Sequence, residues 1–322
     1  MAVTAVAAPG GATPGGARRA APPRGAARGG VRRSWPAIVT LIAPFVLLFL
    51  FVYVTPIVYS VVQSFFSLKT SALGFGEPQT VFVGLDNYTK ALESGAFWSA
   101  LGRILLFGVV QVPVMLGIGL GLALLLDSAA ARWVSLYRIL YFLPYAIPGV
   151  IAAVLWAYLY SPTLSPFVAA GDAIGVDVDF LGPRVVLWSM ANITTWAFTG
   201  YNMLIMLSAL QAIPREQFEA ARIDGASEWR IARVIKTPQI RPALVLTGIN
   251  SIIGTLQLFN EPQVMRVIAD AVNSEYVPTM LAMGAAFVSN DFGYASAVSV
   301  LLALIAGVLS VLYYRLAMRK EQ

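Results

Sequence analysis

Long apolar runs separated by short polar stretches dominate this chain. Charge-free runs occupy residues 34–68, 104–126, 139–170, 185–214, 242–260 and 292–314. A bilayer-crossing helix needs about 20 mostly apolar residues, so each run predicts one span. Six spans place both chain ends on the same side of the membrane. The runs are unequal. Between Ile38 and Val62 the first holds seventeen Leu, Ile, Val or Phe residues, each contributing roughly −0.3 to −0.6 kcal/mol to insertion. The fifth holds nine between Leu244 and Phe259, opposed by Asn250, Gln257 and Asn260. Such a helix needs protein neighbours, and a marginal helix surrounded by protein is where a polar path can run. Pro44, Pro56, Pro113, Pro144 and Pro148 fall inside the runs and read as kinks or breaks, a weak signal because inert helices carry them too.

Composition agrees with this pattern. Of 322 residues only 12% are charged, half the share of about 25% in soluble domains, and the mean hydropathy is +0.74. The predicted fold is all-α: a polytopic membrane protein with six transmembrane helices. Residues 1–33 are mostly Ala, Gly, Pro and Arg, which cannot bury enough surface to offset chain entropy. They read as a disordered basic tail, with residues 34–316 as the membrane domain and 317–322 as a short C-terminal tail. Arg32 and Arg33 precede the first run, but that run is far longer than the 7–15 residues of a signal-peptide core. The chain has no Cys and no His, which removes thiolate nucleophiles, zinc-thiolate sites and imidazole bases.

The net charge of +6 takes its meaning from placement. The tail carries Arg18, Arg19, Arg24, Arg28, Arg32 and Arg33. Arg132 and Arg138 follow the second run. Arg215, Arg222, Arg230, Arg233, Lys236 and Arg241 lie between the fourth and fifth, and Arg315, Arg319 and Lys320 close the chain. The opposite loops hold only Lys69, Lys90, Arg184 and Arg266, with Arg103 at the mouth of the second run. The positive-inside rule therefore places both termini and the 215–241 segment in the cytoplasm. The excess charge is orientation and does not point to nucleic acid. Arg103 has two readings: snorkelling to the outer interface, or binding an anionic group.

The cytoplasmic loop, residues 212–241, reads as ordered. Pro214 suits the first turn of a helix. Residues 215–224 are good helix formers, and Gly225 can take the left-handed conformation that ends it. Ser227 can cap a second helix that stops near Thr237, because Pro238 follows. Phe218, Ala221 and Ile223 give the first helix an apolar side. The loop is either an amphipathic surface element or a knob that docks on another protein.

Glu219-Ala220-Ala221, three residues, Gly225, nine residues, Ile235, one residue and Thr237-Pro238 resembles the EAA motif of ABC importer permeases. The departure is Thr237, where Leu is usual. Further stretches resemble the carbohydrate-type branch, maltose and glycerol-phosphate permease-like: "FVGLDNY" (82–88), "YFLPYAIPGVIAAVLWAYLYSP" (141–162), "GYNMLIMLSALQAIP" (200–214) and "GYASAVSVLLALI" (293–305). The resemblance covers roughly residues 37–316. It implies that the first loop helix is a coupling helix seated on a separate ATPase, with Glu219, Ala220, Ala221, Asp224 and Gly225 at the junction. It also implies a second permease subunit (usually a different chain), two ATPase subunits, an extracytoplasmic solute-binding protein and a bacterial inner-membrane location. No cofactor is expected on this chain. It lacks a G-x-x-x-x-G-K-[ST] phosphate loop, so ATP would be bound by the partner.

Two polar stripes are candidates for a solute path. Asn192, Thr195, Thr199 and Asn202 recur at helical spacing in the fourth run. Asn250, Gly254 and Gln257 do so in the fifth, with Glu261 four residues on. Neutral hydrogen-bonding groups suit a hydroxylated solute, and Trp188, Trp196 and Phe259 offer apolar surface for sugar rings. The same residues also serve as polar glue between helices. An ion-coupled secondary transporter is the alternative function. It generally needs carboxylates within the bilayer, and every Asp and Glu lies outside the six runs. An intramembrane enzyme would have few bases or metal ligands to work with.

Overall fold

The computed structural model describes residues 35–69, 79–128 and 131–319; the basic tail 1–33 and residues 320–322 lie outside them. The chain divides by contact into two units, residues 1–55 and 56–322. In the first, α1 (Trp35–Phe49) continues into a π-helical turn, Leu50–Val54. It is apolar on all sides, with Leu41 80% and Phe45 68% exposed. A helix of that kind is adapted to lipid or to another membrane helix.

The second unit begins at Pro56, within α2 (Thr55–Gln63), and goes on to a short antiparallel pair, β1 (Phe66–Lys69) and β2 (Gln79–Phe82), in register Phe66↔Phe82. Among the described residues this pair is the one departure from the all-α expectation. α3 (Asp86–Glu93) follows, then α4 (Gly95–Leu126), α5 (Val134–Ala146), α6 (Gly149–Tyr160), α7 (Pro166–Ala173) and α8 (Val186–Gln211). The polar loop contributes α9 (Glu216–Ile223), α10 (Glu228–Ile231), a second π turn at Ala232–Lys236, and α11 (Thr237–Gln239). α12 (Arg241–Leu256), α13 (Asn260–Met265), α14 (Pro278–Phe287) and α15 (Phe292–Met318) complete the chain.

Among the described residues, five helical segments are long and apolar enough to cross a bilayer: Ile38–Gln63, Gly95–Leu126, Val186–Gln211, Arg241–Met265 and Phe292–Met318. A sixth exists if α5 and α6 count as one span, and these two meet at 93°. The third run, 139–170, is therefore not one straight helix. Ile147 and Pro148 are both extended (ψ 127° and 132°), because the residue before a proline is driven out of the helical region. The fifth span also differs. It breaks at Gln257 and resumes through α13, so it reaches Met265 and takes Glu261 inside, contrary to the placement of all acids outside the spans.

The helix expected to stop near Thr237 ends two residues later, and Pro238 is not what stops it. Thr237 and Pro238 continue the helix to Gln239. The π turn before them moves the preceding carbonyls away from the proline ring, which otherwise collides with the carbonyl four residues back. Thr237 donates its hydroxyl to the Ala232 carbonyl at 2.8 Å. In the first unit, Thr55 donates likewise to the Leu50 carbonyl at 3.0 Å, again just before a proline. Thr at position 237 thus has a task that Leu has no atoms for.

Two apolar clusters hold the second unit together. One joins α4, α6, α8, α14 and α15 around Phe97, Ile104, Phe107, Met190, Ile193 and Val298. The other lies at the loop end of α4 and α8 and includes Met203, Leu207, Phe218, Ile231 and Ile240. At the opposite end, Asn87 of the FVGLDNY stretch donates to the carbonyls of Ser64 and Phe66, both at 2.9 Å. That amide ties the strand pair to α3.

Candidate functional site

The first candidate is a cavity of about 330 Å³ bounded by α4, α5, α8, α12 and α13. Asn250, Gly254 and Gln257 all line it, as does Glu261, so the α12 stripe falls on one wall as its spacing predicts. The α8 stripe does not. The α8 residues that line the cavity are Thr194, Phe198, Tyr201 and Asn202, a face rotated from the expected one and sharing only Asn202 with it. Thr195 accepts from Gln111 of α4 at 3.4 Å. Thr199 donates to the Thr195 carbonyl within its own helix at 2.5 Å. Asn192 donates to the Tyr160 hydroxyl at 2.8 Å, in a separate aromatic groove beside Trp156 and Trp188. Trp196 packs edge-on against Trp156. Of the three rings singled out for sugar contact, Phe259 alone lines the cavity.

Close packing sets this rotation. Gly119 of α4 lies against the Thr199 carbonyl and Met203 amide, and Gly200 lies against the Tyr141 carbonyl of α5. Backbones that approach this closely fix which face of α8 turns inward. The cavity wall that sequence reasoning missed is aromatic: Tyr145 stacks on Tyr201 at 4.7 Å and meets Phe198 edge-on at 5.6 Å. The α8 face could have been found from Tyr201 and Asn202 sitting one helical turn from Phe198, but polarity alone ranks Thr195 equally. Arg103 donates to the Tyr276 carbonyl at 3.1 Å and lies 4.8 Å from that ring.

The second candidate is the loop between α8 and α12. α9 runs from Glu216 to Ile223, two residues after Pro214. Gly225 has φ +78° and closes the turn, where a side chain is strained. Ser227 accepts from the Arg230 amide and caps α10. Phe218 is buried and Ala221 packs against the same cluster, but Ile223 is 87% exposed and faces away. Glu219, Ala220, Asp224 and Gly225 are exposed. Behind α9 lies a cleft of about 740 Å³ in which Glu219 and Arg222 face Asp127 and Lys236.

That cleft is braced by charge. Lys236 and Asp127 pair at 2.6 Å with side chains 5% and 14% exposed, and Lys236 sits 4.8 Å over the Phe218 ring. Removing one partner of such a shielded pair leaves the other unpaired, a costly state. Arg222 and Glu228 pair at 2.6 Å across the Gly225 corner. Arg222's hydrogen bond holds the Glu228 carboxyl below the usual carboxylate range. Both are largely solvated, so the pair orients the corner more than it stabilises it.

The family model for "Binding-protein-dependent transport system inner membrane component" matches residues 114–319, which hold the whole loop and both polar stripes. The chain belongs to this family. The lactose transport system permease protein LacF of Rhizobium radiobacter is 31% identical over 288 residues, 87% of this chain and 93% of that protein. The arabinooligosaccharides transport system permease protein AraP of Halalkalibacterium halodurans is 28% identical, covering 84% of each. The crystal structure of a bacterial ABC transporter that imports the acidic polysaccharide alginate superposes with a TM-score of 0.74 at 20% identity, over 90% of this chain and 97% of that one. It shows the same fold. This family member is accordingly a permease subunit of an ABC importer, a transport component of the membrane with no catalytic role of its own.

Proposed function

We propose that this permease subunit carries a sugar or related hydroxylated solute through the α12 cavity, and that α9 transmits the motion of a separate ATPase. The observation that carries the first half is the gathering of Asn250, Gly254 and Gln257 on one cavity wall. Amide groups there exchange hydrogen bonds with hydroxyls, and Tyr145, Phe198 and Tyr201 offer ring faces to the apolar side of a sugar. The sugar permeases among its relatives support the solute class. The buried Glu261 removes the sequence argument against ion coupling, but the family membership favours ATP drive.

For the second half, α9 stands on a packed base, with Ala220 and Asp224 exposed and Glu219 exposed along the cleft behind it. A rigid knob transmits displacement because packed elements switch between discrete arrangements. The basic residues Arg215, Arg222, Arg230 and Arg233 support a cytoplasmic placement of this loop, with both termini on that side. The full assembly is read as this chain, a second and different permease, two ATPase subunits and a binding protein that delivers the solute.

The test is affinity purification of the chain in mild detergent after co-expression with its genomic neighbours. Mass spectrometry identifies the partners, and ATPase activity is compared with that of Glu219→Lys. The expected outcome is recovery of a second permease and an ATPase, with the substitution loosening the ATPase. A chain that purifies alone and transports without ATP would overturn the reading.

A further inference from the structure

The cavity contains an acid without a cation among the described residues. Glu261 is 7% exposed and lines the wall beside Asn250, Gln257 and Asn260. No Lys or Arg is among the lining residues. The ion pairs Lys90–Asp291, Arg222–Glu228 and Lys236–Asp127 do not include Glu261. The remaining polar groups of the wall are neutral amides and hydroxyls, including Gln111, Asn202 and Tyr145.

We propose that Glu261 sets the charge selectivity of the path, so that the cavity takes neutral or amine-bearing hydroxylated solutes and turns away carboxylated, sulfonated and phosphorylated ones. A carboxylate has two oxygens and about four acceptor sites, enough to take hydrogen bonds from two neighbouring hydroxyls or from an ammonium group. An anionic solute meets a like charge in a partly desolvated space, where the repulsion is several-fold stronger than in water. Arg is the usual partner for carboxylate and phosphate groups, and the wall offers none.

This inference rests on the cavity being the solute path, and the experiment separates the two. The chain is co-expressed with its partner subunits, and the assembled complex is placed in lipid nanodiscs. Binding of methyl glucoside, methyl galactoside, their uronic acid counterparts and glucosamine is measured by saturation-transfer NMR with competition. Size-exclusion co-elution confirms assembly of each variant. The expected result is a preference of at least about tenfold for the neutral sugars over the uronic acids, as like-charge repulsion of this kind implies. In Glu261→Gln that ratio should fall to about threefold or less, and in Glu261→Lys it should invert. Glucosamine should lose ground to methyl glucoside in both variants. Uronic acids that bind wild type as well as the neutral sugars would overturn the proposal, as would a ratio unchanged in Glu261→Gln. Asn250→Ala and Gln257→Ala report on the cavity itself. If they leave all binding intact, or if no probe binds wild type, the cavity is not the path and the proposal falls with it. If they weaken binding while Glu261→Gln leaves the ratio unchanged, the charge filter alone fails.

Discussion

The helices α8 and α12 carry polar stripes of nearly the same spacing and put them to different uses. On α12, Asn250, Gly254 and Gln257 all open onto one cavity. On α8, Thr195 and Thr199 bond within the bundle, Asn192 serves a different groove, and only Asn202 reaches the cavity. Asn202 is 2% exposed and also donates to the Phe198 carbonyl at 3.1 Å, so it belongs to both uses. In water, a polar stripe on a packed helix usually marks the solvent side. In a membrane, polar groups also serve as contacts between helices, and which use prevails is decided by how closely the neighbouring backbones approach.

The strongest way to break this comparison is to move α8. Gly200 lies against the Tyr141 carbonyl, so a Cβ there has no room unless backbone shifts. Gly200→Ala should destabilise the membrane domain by about 1–3 kcal/mol or more, the usual cost of overpacking. It should appear as a lower melting temperature in detergent and a loss of folded protein. A Cβ added at Gly254 meets nothing within 4 Å, and Gly254→Ala should melt with wild type. Equal melting of the two variants would mean that α8 is not held by that contact.

The next test separates the stripes by function. Asn250→Ala and Gln257→Ala should each lower ATP-driven uptake in proteoliposomes by about tenfold, equivalent to one hydrogen bond of roughly 1–1.5 kcal/mol. Asn192→Ala should change uptake by no more than about twofold, because its partner is the Tyr160 hydroxyl in another groove. Equal losses in all three variants would make the stripes equivalent and the cavity wall irrelevant.

Sequence patterns revealed these two regions unequally, for physical reasons. The loop was legible because its signals are local: Gly225 at positive φ, Ser227 as a cap, and the spacing from Glu219 to Pro238 are properties of neighbouring residues. The α12 stripe was legible because the helix is poorly apolar and its amides share one face. The rotation of α8 was not, since it depends on Gly119 and Gly200 meeting α8 and α5 from distant parts of the chain. The 93° turn at Pro148 was hidden among five prolines, of which Pro113 lies in an unbroken helix. Ile223 was misplaced because the Gly225 corner follows within two residues and turns that end of α9 outward, leaving it exposed. Thr237 was a mere departure from a motif until its hydroxyl was seen to answer the Ala232 carbonyl ahead of Pro238.

The smallest expected effect gives the finest test of the comparison. Thr199 is 7% exposed, and its hydroxyl donates to the Thr195 carbonyl one turn back. That carbonyl already belongs to the helix ladder, so the hydroxyl adds a second bond to an oxygen that has one. Thr199→Val keeps the shape and removes only this bond. A hydroxyl bonded back onto its own helix contributes little to stability, so the melting temperature should change by no more than a few degrees. Uptake should stay at the wild-type rate, because the hydroxyl is spent on its own backbone and has no free donor for a solute. A variant that melts normally but loses uptake would place Thr199 on the path after all. The inward face of α8 would then differ between the resting structure and the transporting one, with the helix turning about its axis as the solute passes.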